Sequence, residues 1–144
     1  MARIKIELPE KFVFTTEIPV RITDLNYGSH VGNDTILSLI HESRMQLLSS
    51  YGYTSELKIN GVGLIMTDVG IEFKGELFYA DRVIASVAIG EVSKAGFELY
   101  YKLEKGNSPD RTLVAIAKTG MLCFDYGKRK IVPIPEELRT KLLN

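Results

Sequence analysis

Fourteen residues, RITDLNYGSHVGND at 21–34, gather Arg21, Asp24, Asn26, His30, Asn33 and Asp34, with Gly28 and Gly32 between them. Carboxylates and an imidazole can accept or donate protons, and an imidazole does so near neutrality. Amides orient a carbonyl or a water but cannot take a proton. Glycines allow the backbone to come close to a ligand. An apolar, helix-like segment follows at once, so the cluster stands where unpaired N–H groups and the positive end of a helix dipole favour developing negative charge. A plain turn would need only one or two of these residues.

The elements that must position this cluster are legible from periodicity. Residues 11–23 alternate, with Phe12, Phe14, Thr16, Ile18, Val20 and Ile22 on one side, which reads as a half-buried strand. Pro19 within it points to an edge or a bulge. Residues 34–50 read as the one long helix, with Asn33 or Asp34 as its cap and Gly52 after its end. Its apolar sector (Ile36, Leu37, Leu39, Ile40, Leu47 and Leu48) is wide enough to predict an enclosed helix, with Ser38, Glu42, Gln46 and Ser49 opposite.

Strands are predicted at 62–74, 81–92, 97–104 and 112–124, joined by turns at SKAG and KGNSPD, with DYGKRK turning after the last. In the first of them Ile65, Thr67, Val69, Ile71 and Phe73 share a face. PIPEELRTKLL predicts a short closing helix with Pro135 near its first turn. Strand, long helix and four consecutive strands make an α+β fold, an antiparallel sheet wrapped on one helix, in a single domain over 1–144.

Bulk properties exclude several classes. Eighteen basic residues balance eighteen acidic ones, so no charge field argues for nucleic acid or an anionic membrane. No apolar run approaches a membrane span, and MARIKIELPEK lacks a signal-peptide core. The one cysteine, Cys123, has no disulfide partner and no companions at zinc spacing. A cytoplasmic protein without metal or cofactor is the expectation.

In order of elements and in local pattern, the chain resembles the hotdog-fold acyl-CoA thioesterases of the 4-hydroxybenzoyl-CoA thioesterase superfamily. Their entry motif runs R-x-x-D-x-D-x-x-G-H-V-N-N, followed by E-x-R on the helix. Arg21, Asp24, His30, Val31 and Asn33 match the first part, and Glu42 and Arg44 the second. GLIMTDVGIEFKGEL and VPIPEEL resemble the family's following strand and its ending. The departures are Ser29 for the Gly before His, Gly32 for the first Asn, and Asn26 for the second acid of D-x-D. That acid is the family's catalytic carboxylate.

The resemblance implies hydrolysis of an acyl-CoA or acyl-carrier-protein thioester in a homodimer or a dimer of dimers, with sites between subunits. It places the oxyanion-binding N–H at about Asn33, beside Gly28 and Gly32. Asn26, Asp24 and His30 are the candidates for handling water, and the corresponding histidine is assigned to the site in plant acyl-carrier-protein thioesterases of this fold. Bland roles stand beside these: an Asx turn for Asn26, a loop hydrogen bond for Asp24, a helix-start acid for Asp34. Thr67 and Asp68 can line a pocket from the partner subunit or simply bond within the sheet. A sister class uses an acid on the helix; Glu42 is offset from it, and His41 is kept as a candidate. Arg44, on the apolar sector, needs a buried partner. Lys74, Arg82, Lys118, Lys128, Arg129 and Lys130 could meet coenzyme A phosphates or merely solvate the surface. Two other functions fit the same pattern: a hydratase or dehydratase using His30 with Asp34 or Glu42, and a non-catalytic acyl-CoA binder.

Overall fold

The computed structural model describes residues 3–107 and 109–144, so Ser108 of the KGNSPD turn lies outside the described residues, as do Met1 and Ala2. Strand β1 (Phe14–Pro19) is followed by a 3-10 turn at Ile22–Asp24 and helix α1 (Asn33–Ser50). Strands β2 (Gly63–Phe73), β3 (Arg82–Val92), β4 (Gly96–Lys105) and β5 (Thr112–Asp125) then run in succession. A two-residue strand, β6 (Lys130–Ile131), and helix α2 (Glu136–Leu143) close the chain. The sheet is antiparallel in the order β1-β3-β4-β5-β2, and β6 pairs with β5. This is the hotdog arrangement that the resemblance implies.

The inner face of the sheet carries Val83, Ala85 and Val87 on β3, Leu99, Tyr101 and Leu103 on β4, and Ala115 and Ala117 on β5. Ile36, Leu39, Ile40, Leu47 and Leu48 of α1 pack into the same core. The alanines are a necessity of geometry, since a helix can settle into a curled sheet only where short side chains leave room. Helix α2 adds Leu138 and Leu142 to the same core.

Three features differ from the periodicity. The first strand ends at Pro19 rather than Thr23, because Asp24 turns the chain by accepting the Arg21 N–H at 2.8 Å. Ile22, expected inward, is therefore 66% exposed. The N-cap of α1 is Gly32, with no side-chain cap, so Asn33 and Asp34 sit inside the first turn. In β2 the register slips between Met66 and Asp68, and a bulge at Thr67 breaks the expected alternation. Met66, Val69 and Phe73 are exposed as a result, along a sheet edge whose inner neighbour is β5. Gly52, with φ +98°, ends the helix as expected.

The N-terminal segment crosses the outer face of the sheet. Ile6 N–H reaches the Glu72 carboxylate on β2 at 2.7 Å and is the main reason its pKa is lowered. Further along, the Phe12 ring lies under Lys102 of β4 at 4.6 Å, and Val13 N–H bonds Val87 O on β3 at 2.9 Å. A strap thus runs from one edge of the sheet almost to the other, with Ile4 and Ile6 beside Gly70 at its start.

Close approach fixes one glycine firmly. A Cβ at residue 96 would stand 2.5 Å from the Met121 carbonyl oxygen, which belongs to the neighbouring backbone and cannot swing aside. Gly96→Ala is expected to cost about 1–3 kcal/mol through overpacking, seen as a lower urea midpoint at unchanged slope.

Candidate active site

The loop between β1 and α1 is held by its own backbone. Leu25 and Val31 form an antiparallel bridge. Asn26 N–H bonds His30 O at 2.9 Å, and Ser29 N–H returns to Asn26 O at 3.1 Å. Ser29, at the family's glycine position, takes φ +66°, a strained value for a side-chain-bearing residue. Val31 N–H bonds Leu77 O at 2.9 Å and pins the loop to the chain ahead of β3. The loop is therefore a rigid platform at the mouth of α1.

Within it, Asn26 Oδ1 accepts the Gly28 N–H at 2.8 Å, the Asx turn of the bland reading. That bond spends the oxygen and leaves the Nδ2 donors on the side of the helix start. At that start, Thr35 and Ile36 both direct their N–H groups to Gly32 O, at 3.1 and 3.2 Å. Among the described residues, no hydrogen bond takes the N–H of Asn33 or Asp34.

Gly32 explains what else meets there. A Cβ at residue 32 would lie 2.7 Å from Asp34 Oδ1 and 3.6 Å from Asn26 Nδ2. The missing side chain makes room for a carboxylate facing an amide, without a direct bond between them. The sequence offers this acid as a helix-start charge, or as a partner of His30 in a hydratase or dehydratase. No spacing rule reveals that its carboxylate folds back toward residue 26.

The other expected residues are placed differently. Asp24 is buried and accepts the Arg21 N–H and guanidinium, the latter at 3.3 Å. It borders a groove of ≈ 350 Å³ between β1 and α1, shared with Glu17, Ser38 and Glu42. His30 is half-buried, with Nδ1 3.3 Å from Val31 O and Nε2 toward Gly28. Thr67 and Asp68 stand on the β2 bulge, where Thr67 Oγ1 donates to Gly120 O at 3.2 Å. Three of the cations read as possible phosphate contacts are paired: Lys74 with Glu72, Arg82 with Glu17 and Lys118 with Glu98. Among the described residues, no three metal-ligating side chains converge.

A second polar cluster lies on the flank of α1 toward β2. Arg44, its side chain 6% exposed, donates Nε to Glu56 at 2.8 Å and Nη1 to Tyr101 Oη at 3.4 Å. Tyr101 Oη and Thr119 Oγ1 are 2.8 Å apart. Burial works against the charge on Arg44, but its bonds to Glu56 and Tyr101 outweigh it and the pKa is raised. Burial likewise raises that of Tyr101. Glu56 also receives His41 Nε2 at 2.8 Å. The partner that Arg44 required is thus Glu56, which carries no periodic or motif signal in the sequence.

The family model described as the thioesterase-like superfamily matches residues 20–142. The chain belongs to the thioesterase-like superfamily. Within it, a 1,4-dihydroxy-2-naphthoyl-CoA hydrolase of Microcystis aeruginosa is 31% identical over 106 residues, covering 72% of this chain and 74% of that protein. Among solved structures, a 1,4-dihydroxy-2-naphthoyl-CoA thioesterase from Synechocystis superposes with TM-score 0.82 at 23% identity, over 91% of this chain and 96% of the other. A Staphylococcus aureus protein solved in complex with CoA gives TM-score 0.81 at 16% identity, over 96% and 86%. Among the described residues, no helix of this superfamily member is long and apolar enough to cross a membrane.

Cys123 is fully buried on β5, and burial pushes its thiol up to about 11. A thiol with that pKa holds roughly 100-fold less thiolate than an ordinary one at the same pH. Labelling with an aromatic disulfide reagent at pH 8 is expected to be slow in the native protein and rapid in urea. Fast native labelling would show that the thiol is reachable and reactive in the folded protein.

Proposed function

We propose that this protein hydrolyses acyl-CoA thioesters at the start of α1, in the cytoplasm, as a homodimer. The observation that carries the reading is the pair of unclaimed amides, Asn33 and Asp34 N–H, next to a carboxylate facing a carboxamide across Gly32. Family membership and a relative named as a CoA-thioester hydrolase support it.

The thioester carbonyl oxygen accepts from the Asn33 N–H, with the helix dipole behind it. As water attacks the carbonyl carbon, negative charge moves onto that oxygen, where a fixed donor is worth about 3 kcal/mol. The water sits between Asn26 Nδ2, which donates to it, and the Asp34 carboxylate, which takes its proton. An amide alone cannot supply the second function, so Asp34 fills the role that the family's acid at position 26 vacates. The tetrahedral intermediate then breaks its carbon–sulfur bond, and the proton on Asp34 passes to the departing thiolate. Carboxylic acid and free CoA thiol result.

Asp24 and His30 act on the platform rather than the water. Asp24 anchors the loop through Arg21, and His30, donating Nδ1–H to Val31 O, braces the turn around Gly28. Gly28 and Gly32 keep the backbone open to the thioester. The exposed β2 edge, with Met66, Val69 and Phe73, is where a second copy joins. There Thr67 and Asp68 line the substrate cleft from the partner's side.

The test is thiol release from a panel of aliphatic and aromatic acyl-CoAs; a folded protein that binds these esters but cleaves none would show a non-catalytic binder instead. Asp34→Asn should lower kcat about 100-fold with little change in KM. In Asn26→Asp, two carboxylates confront one another across Gly32. The like charge raises the pKa of the proton-accepting pair, so the rising limb of the pH–rate profile moves to higher pH and activity at neutrality falls. A gain in turnover from Asn26→Asp would refute the assignment of Asn26 as a working donor. Val69→Lys should halve the mass measured by light scattering.

A further inference from the structure

The N-terminal strap holds one apolar side chain where its own protomer leaves it uncovered. Ile4 is 60% exposed. Its place is nonetheless set, because Ile4 and Ile6 lie on the bare backbone of Gly70. Ile4 Cγ2 stands 3.7 Å, and Ile6 Cδ1 3.8 Å, from where a Cβ of residue 70 would be. The Ile6 N–H bond to Glu72, an acid paired with Lys74, fastens this end of the strap to β2. A single exposed isoleucine needs no explanation, but this one continues the apolar edge of Met66, Val69 and Phe73.

The backbone of β2 determines where a second copy of that edge can sit. Lys74 N–H bonds Val114 O at 2.8 Å, so Lys74, Glu72 and Gly70 turn their backbone groups to β5. Phe73, Ile71 and Val69 turn theirs to the open side of the sheet. At the other end, Leu64 N–H is already taken by Glu56 O at 2.7 Å. The open stretch is therefore 66–73, and its middle falls at Val69 and Gly70. An antiparallel pair of identical edges is related by a two-fold axis, and pairing the whole open stretch puts the axis at that middle. Val69 and Phe73 stand there on the helix side of the sheet, since they pair with Thr119 and Ala115 of its inner face. Gly70 faces the outer side, with Ile4 upon it.

We infer that the strap is part of the subunit contact: Ile4 of each copy meets Ile4 of the other over the two Gly70 residues at the axis. Glu72, by holding Ile6, positions it there. The inference rests on the proposed dimer at the β2 edge and adds a second layer to it. Edge pairing alone joins backbones and leaves the outer side of the seam lined by Asp68 and Glu72, which share the face of Gly70. Two isoleucines side by side shut water out above the central bonds. Thr67 and Asp68 are close neighbours of Gly70 in the chain, so a seated strap also fixes the residues proposed to line the cleft from the partner's side.

Thiol cross-linking reads the contact directly. Cys123 is free but fully buried, so a cysteine placed on the strap is the one that reacts. With copper phenanthroline as oxidant, Ile4→Cys should give a disulfide-linked dimer on a non-reducing gel, because residues meeting at an axis reach the roughly 4–7 Å between Cα atoms that a disulfide needs. Leu8→Cys, about 13 Å further along the extended chain, should stay unlinked. Ile4→Asp, which encloses a charge at the seam, should raise the dimer dissociation constant about tenfold or more in sedimentation velocity. Glu72→Ala should raise it as well, and Ile4→Leu should leave it unchanged. A strap that only stabilised its own sheet would weaken folding in these variants without moving that constant. A dimeric wild type with Ile4→Cys unlinked and the Ile4→Asp constant unchanged overturns the strap contact and leaves the edge dimer standing. A wild type that is monomeric at every concentration overturns both. Linkage at Ile4→Cys in a protein that cleaves no acyl-CoA upholds the contact and removes hydrolysis instead.

Discussion

A helix can be buried along its length only if the polar groups of its first turn are dealt with separately, because they have no partners within the helix. Here α1 packs Ile36, Leu39, Ile40, Leu47 and Leu48 into the sheet, yet begins at Gly32 with no side chain capping it. Two of its N–H groups remain available where the doorway loop meets the helix. A Ser or Asp in place of this Gly would gain only about a few tenths of a kcal/mol of stability and would take up one of those N–H groups. The loop, its strained Ser29 and its tie to Leu77 all follow from having to hold that opening in one shape.

The second demand on α1 is the charge it carries inside. Burying Arg44 is tolerable because Glu56, Tyr101 and, behind it, Thr119 complete its bonds. The network joins the helix, the loop that follows it and strands β4 and β5. It thereby orients His41 as well, through the shared carboxylate. One carboxylate, that of Glu56, holds both side chains on this side of the helix.

Much of this was legible in the sequence, and the rest had physical reasons to be hidden. The alternating runs and the long apolar sector give the elements because burial imposes periods of two and 3.6. The residues that misled are those where a local bond overrides the period. Asp24 turns the chain and exposes Ile22; the bulge at Thr67 breaks the alternation of β2; Gly32 takes the cap position from Asn33. At the site, Asn26 and the glycines were visible as a motif and a departure from it. The convergence of Asp34 on residue 26 was not, since it depends on the absence of a Cβ at residue 32. Glu56 was invisible for a different reason: its two partners lie 12 and 15 residues away, and no spacing in sequence marks a loop acid that closes on a helix.

The N-terminal strap has a consequence for the order of assembly. The bond from Ile6 to Glu72 closes a loop of 66 residues, and Val13 is secured only by a strand that follows later still. Loop-closure entropy must be met before such distant contacts give anything back. The strap is thus among the last segments to find its place, and it fastens across a sheet that is already formed, like a clasp shut over a finished parcel.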